Sequence, residues 1–141
     1  MEKGLETYIR EAFEIGEVDI RTYSPLTLAF IGDGIYDLVI RTMVVAKGNI
    51  PAKDLHRHTS HLVKAATQSA MVERIQPLLT EEEEGVYRRG RNAKTATMAK
   101  NASMSDYRRA TGFEALMGYL YLSNRFDRIL ELVKYALEER I

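Results

Sequence analysis

Two carboxylates four residues apart lie inside a strongly apolar stretch, Leu28-Ala29-Phe30-Ile31-Gly32-Asp33-Gly34-Ile35-Tyr36-Asp37. On a helix that spacing puts Asp33 and Asp37 on one face, one turn apart. Asp is a poor residue for a helix interior. An ionised carboxylate among Leu, Phe and Ile is costly unless a cation or hydrogen-bond donors meet it. A second acid, Glu114, stands in another segment dense in large apolar residues, with Phe113, Leu116, Met117, Leu120 and Tyr121 around it. If packed helices bring Asp33 and Glu114 together, their charges repel and one takes up a proton. A Mg²⁺ ion resolves the conflict, because it accepts one or two carboxylates and completes its octahedron with water and substrate phosphate. Such an ion activates water and stabilises the leaving oxygen of a phosphodiester. The chemistry to expect is metal-dependent hydrolysis of a nucleic-acid backbone, with Asp33 and Glu114 as metal ligands and catalytic residues.

The charge pattern suits that substrate in one region only. Formal net charge is zero, which alone argues weakly against a nucleic-acid partner. Residues 1–19 are acidic (Glu2, Glu6, Glu11, Glu14, Glu17 and Asp19 against Lys3 and Arg10). Residues 85–109 hold Arg88, Arg89, Arg91, Lys94, Lys100, Arg108 and Arg109 against Asp106 alone. This surplus is a candidate phosphate-binding surface; the competing reading is a solvated basic face. The stretch Thr95 to Met104 reads as an exposed loop beside it, with Arg91, Asn92, Lys94 and Lys100 placed to close on a phosphate backbone.

The elements that must hold these residues are helices. Leu5, Ile9 and Phe13 recur every four residues, which predicts a short amphipathic helix over 3–15. Ser24-Pro25 is a start signal, with Ser as cap and Pro at the first helical position. The helix it opens runs to about Lys47 and is apolar on most sides, the mark of a central, buried element. Gly32 and Gly34 flank Asp33 and suggest close approach by another backbone or a ligand. Pro51 and Asp54 open a helix predicted to run to about Pro77. Thr80 and Glu83 form a capping box, and the acidic run Glu81–Glu84 suits the positive end of a helix dipole. Ser105 is predicted to cap the helix that carries Glu114, which runs to about Ser123. The last helix spans 126–140. Tyr119 and Tyr121 fit apolar helical packing better than base stacking. His58 and His61 can share a face, whereas His56 and His58 cannot. With no carboxylate at ligand spacing, surface or RNA-facing histidines are preferred to a zinc site.

Nothing reads as a β-sheet, a repeat or a glycine-rich nucleotide loop. The fold class is all-α, a bundle of five to seven helices around one long central helix. The length fits one domain over residues 1–141, with 1–20 as an N-terminal extension or short helix. Hydrophobic residues make up 45% of the chain, and no apolar run approaches the ~18–20 residues that span a bilayer. There is no cysteine, which excludes disulfides and Cys-ligated zinc. The N-terminus lacks the shape of a signal peptide. A cytoplasmic, membrane-free protein is expected.

The stretch Leu28 to Asp37 resembles the signature motif of the ribonuclease III endonuclease domain, in which a Phe-Leu-Gly-Asp-Ser core sits in a long helix and the Asp binds catalytic magnesium. Phe113-Glu114-Ala115-Leu116-Met117-Gly118 resembles the family's second motif, whose Glu is the other central metal ligand. The similarity covers roughly residues 20–137. The departures are specific. Leu26 and Ala29 stand where the family has two upstream acids, and Thr111 stands where it has another acid. The family's double-stranded-RNA-binding domain has no counterpart here. This reduced set resembles the Mini-ribonuclease III branch, as do Leu55-His56, Glu81–Glu84 and Arg88-Arg89-Gly90-Arg91-Asn92-Ala93-Lys94. The resemblance implies a homodimeric, magnesium-dependent endoribonuclease that matures the precursor of large-subunit (23S) ribosomal RNA by cutting double-stranded regions. It places Phe30 near the dimer interface and leaves Asp37 and Thr111 no more than supporting roles behind the ligands. Cleavage position, metal count and any help from ribosomal proteins stay open. A non-catalytic double-stranded-RNA-binding helical dimer is the alternative, motivated by the missing acids. A purely helical dimerisation module is the third reading.

Overall fold

Ser24 and Pro25 start the longest helix as their chemistry demands. The Ser24 side chain accepts from the Thr27 N–H, a cap worth ~1 kcal/mol. The computed structural model describes residues 3–93 and 103–138. These form seven α-helices, α1 (Leu5–Ala12), α2 (Pro25–Ala46), α3 (Ala52–Val63), α4 (Ala65–Ile75), α5 (Glu81–Arg91), α6 (Met104–Leu122) and α7 (Phe126–Leu137). Short 3₁₀ turns occupy Ile20–Thr22 and Gln76–Leu78. No strand occurs among the described residues.

The centre of the molecule is the crossing of α2 and α6. Gly32 and Gly118 make that crossing close. A Cβ on Gly32 would lie 1.7 Å from the Glu114 carbonyl oxygen, and one on Gly118 would lie 1.9 Å from that of Leu28. No side chain fits at either position, so the two backbones touch there. Around the crossing, Ile40, Met71, Ile75, Phe113, Leu116, Met117, Leu120, Ile129 and Leu132 are almost fully buried. Each contributes about 1.5–3 kcal/mol by leaving water. Tyr36 packs edge-on against Phe113, ring centres 5.1 Å apart.

Three details depart from the sequence reading. The helix predicted from Pro51 to Pro77 is two helices, broken at Lys64, whose backbone is extended (φ −70°, ψ 156°). The break is held by side chains from elsewhere. Tyr36 Oη donates to the Leu62 carbonyl at 2.8 Å, Thr67 Oγ1 to that of His61 at 2.6 Å, and Gln68 Nε2 to that of Val63 at 2.9 Å. The cap of α6 is Ser103, which accepts from the Asp106 N–H at 3.0 Å; Ser105 lies inside the helix. Finally, α2 is buried on one side and open on the other. Phe30 is 82% exposed, and Leu26, Leu38 and Val45 are exposed with it.

The capping box of α5 forms as expected, with Thr80 and Glu83 exchanging bonds of 2.9 and 3.1 Å. The acidic run does more than face a dipole. The Glu83 carboxylate is buried and takes two 2.9 Å bonds from Arg128 of α7. Glu82 is bonded by Tyr119 and, at 2.8 Å, by Arg125. These pairs fasten α5 to α6 and α7.

Candidate active site

Asp33 projects from α2 and Glu114 from α6. The touching backbones at Gly32 put them side by side, one residue on from the glycine and on the residue whose carbonyl it meets. Their carboxyl groups come within hydrogen-bonding reach. The pairing expected from two apolar helices therefore exists, but the discomfort falls on the other member. Asp33 is exposed on the open side of α2, while Glu114 is half-buried. Burial first, then the hydrogen bond to Asp33 and its negative charge, push the Glu114 carboxyl up to about 8. The Gln68 side chain pulls the other way, since an amide N–H favours the charged form.

That electrostatic conflict is what a divalent cation would relieve. Both donors are hard oxygens, the ligand type that Mg²⁺ takes. Among the described residues no group of three or more His, Cys, Asp or Glu is placed to hold a metal. Two carboxylates suffice for Mg²⁺, which commonly keeps several waters and takes the rest of its shell from substrate phosphate. The residues fit the ion.

The other candidates divide. Asp37 does not join the pair, because Arg41 Nε holds it at 2.7 Å. Thr111 is buried, and its hydroxyl donates to the Tyr107 carbonyl at 3.0 Å within α6. Gly34 faces open space in the single chain. All three histidines are exposed; His58 and His61 line one pocket and His56 another, as helical spacing requires. Gln68 is the neighbour of Glu114 that sequence reasoning missed. It sits in a stretch of Ala, Thr and Ser with no motif to mark it, and only the α3–α4 break brings it inward.

The basic end of α5 lies against α6. A Cβ on Gly90 would come 2.7 Å from that of Ala115 and 3.0 Å from the Gly112 Cα. Arg88, Arg89 and Arg91 belong to the last turn of α5, which packs there through Gly90. Arg88 and Arg89 are exposed. The Arg91 guanidinium lies 5.6 Å above the Tyr87 ring and bonds the Asn92 side chain at 3.3 Å. All three also suit the negative end of the α5 dipole. Lys94, Lys100 and residues 95–102 of the predicted loop fall outside the described residues; the loop's last residue, Met104, instead opens α6.

Comparison with known proteins bears on what this arrangement does. The family model described as the Ribonuclease III domain matches residues 26–125. A Mini-ribonuclease 3 from Thermoanaerobacter sp. (strain X514) is 46% identical, over 99% of this chain and 100% of its own. A Mini-ribonuclease 3 from Brevibacillus brevis is 47% identical, over 80% of this chain and 84% of its own. A crystal structure of a protein from Fusobacterium nucleatum superposes with a TM-score of 0.79 at 30% identity, covering 86% of this chain and 99% of that one.

Proposed function

The chain belongs to the ribonuclease III family, as the domain match and its Mini-ribonuclease 3 relatives establish, and we propose that it cuts double-stranded RNA with a Mg²⁺ ion held between Asp33 and Glu114. That it is an endoribonuclease follows from the family. The observation that carries the finer reading is the convergence of these two carboxylates, with Glu114 so unfavourably charged that a cation is its natural partner. Bound there, the ion would activate water and stabilise the leaving oxygen of the phosphodiester. Asp33 holds its side of the site at the surface, where a duplex backbone can approach, and Glu114 anchors it from within. Arg88, Arg89, Arg91 and Asn92 contact RNA phosphates, with Lys94 and Lys100 beyond them in sequence. Duplex RNA is read by shape, 2′-hydroxyls and phosphates, which suits guanidinium groups without base readout.

The working unit in this reading is a homodimer. Leu26, Phe30, Gly34 and Leu38 recur every four residues along the open side of α2, so they form one strip. An 82% exposed Phe30 is a poor surface residue and a good interface centre. The substrate is the double-stranded precursor of large-subunit ribosomal RNA, with ribosomal proteins as candidate helpers, and the compartment is the cytoplasm. No described helix is long and apolar enough to cross a membrane.

Incubating the protein with structured precursor RNA, with and without Mg²⁺, tests the reading. Cleavage that needs Mg²⁺ supports it. RNA retention without cleavage favours a non-catalytic binder, and neither activity favours a helical scaffold.

A further inference from the structure

The first helix is mounted the wrong way round for a single chain. Leu5, Ile9 and Phe13, with Tyr8 beside them, make α1 amphipathic, and such a helix ordinarily turns its apolar side to the core. The side turned inward here carries Glu6, which is buried and bonded by Arg10. Leu5, Tyr8 and Ile9 are exposed, and Phe13 is 74% exposed. The turn that follows is fixed by hydrogen bonds. The Ile15 N–H donates to the Arg10 carbonyl at 2.8 Å and the Glu14 N–H to that of Glu11 at 3.2 Å. This pair closes a helix through a left-handed residue, and Glu14 takes that conformation with φ 54°. The chain so returned places Ile15 and Val18 in one groove with Ile9.

That groove joins the arm to the open side of α2, because its other apolar walls include Ile31 of α2 with Tyr121 and Leu122 of α6. Ile31 precedes Gly34 by three residues and Leu38 by seven, so it shares their side of the helix. Asp33 stands about 200° round the helix from Ile31, so a partner over the groove leaves the carboxylate pair open. The α2 strip by itself offers Phe30, Leu26 and Leu38, too little for the ~800 Å² that each partner of a standard stable interface buries. The arm adds Tyr8 and Phe13 with Leu5, Ile9, Ile15 and Val18, all exposed. Charge narrows the occupant. Glu6, Glu11, Glu14, Glu17 and Asp19 stand against Lys3 and Arg10, a balance that repels an RNA backbone or an anionic lipid surface.

We infer that the N-terminal arm, residues 4–18, is the outer part of the dimer interface and packs its apolar side on a second copy of this chain, an inference that rests on the homodimer reading. The arm precedes the residues that the ribonuclease III domain model matches, which begin at 26. It therefore enlarges the contact that the α2 strip makes within that domain. In a two-fold dimer each arm contact is made twice, so the two exposed aromatics count double.

Sedimentation equilibrium tests this on the full-length wild type and on a double variant, Tyr8→Ser with Phe13→Ser, with circular dichroism for each. Both side chains are exposed in the single chain, so their removal spares the fold of the protomer. The double variant is expected to keep its helical signal and to dimerise at least about tenfold more weakly, as the loss of interface aromatics produces. A photoreactive benzoylphenylalanine at position 13 gives a second reading. Mixed tagged and untagged copies are expected to cross-link to each other, and Phe30→Glu is expected to abolish that product. Dimerisation of wild-type strength in the double variant, or a cross-link confined to one chain, overturns the inference and leaves the homodimer reading standing. So does a double variant that dimerises normally but loses duplex-RNA binding, which would give the arm to RNA. A wild type that stays monomeric at every concentration overturns the homodimer reading and this inference with it.

Discussion

At the scale of single residues, the protein carries two acids with opposite histories. Glu114 is held above its ordinary range by burial, by Asp33 and by the hydrogen bond between them. Because its folded pKa is raised, its contribution to stability is fully present below the unfolded value and is lost as pH rises through about 8. Metal-free protein should therefore lose roughly 4 kcal/mol between pH 5 and 8.5, and Glu114→Gln should flatten that dependence in melts run with chelator. Glu83 behaves the other way. Burial alone would raise it, but Arg128 and the Thr80 N–H outweigh burial and hold it below the usual carboxylate range. Its contribution is present above the unfolded pKa and is lost as pH falls through the folded one. Arg128→Met leaves that buried carboxylate without its cation. It should cost about 3 kcal/mol in urea unfolding.

At the scale of elements, the site is a consequence of how closely α2 and α6 cross. Gly32→Ala would drive a Cβ to 1.7 Å from the Glu114 carbonyl oxygen, so the helices must part. The variant should lose more than about 3 kcal/mol and should also weaken Mg²⁺ binding, since Asp33 and Glu114 move apart together. Denaturant midpoints and metal titration on the same samples check both. Much of this level was legible beforehand. Ser24-Pro25 and Thr80–Glu83 are local chemistry, and their caps form as the residue types require. Of the two glycines beside Asp33, Gly32 does mark a close backbone, whereas Gly34 meets nothing within the chain. What escaped was set by distant partners. Lys64 carries no Pro or Gly to mark a break, because donors on α2 and α4 make that break stable. Gln68 follows from the break and was hidden with it. The Glu82 and Glu83 pairings were hidden because the helix dipole already accounted for acids there. Ser103 and Ser105 both qualify as caps by type, and packing of the following residues chose the first.

At the scale of the whole molecule, two surfaces await a partner, the apolar strip of α2 and the basic end of α5. Phe30→Glu should shift the protein to monomer in sedimentation while its helical signal is kept; a dimer that persists would remove Phe30 from the interface. Arg88→Ala and Arg89→Ala should weaken duplex binding alike for all sequences, each lowering the slope of log affinity against log salt by about 1. Neither outcome tests the central claim, that a cation between Asp33 and Glu114 drives hydrolysis. The most direct measurement is the single-turnover cleavage rate of a double-stranded RNA at saturating Mg²⁺, for the wild type, Asp33→Asn and Glu114→Gln. The account predicts cleavage that needs Mg²⁺ in the wild type and a loss of about a thousandfold or more in each folded variant. A folded Asp33 or Glu114 variant cutting within about tenfold of the wild type would contradict it.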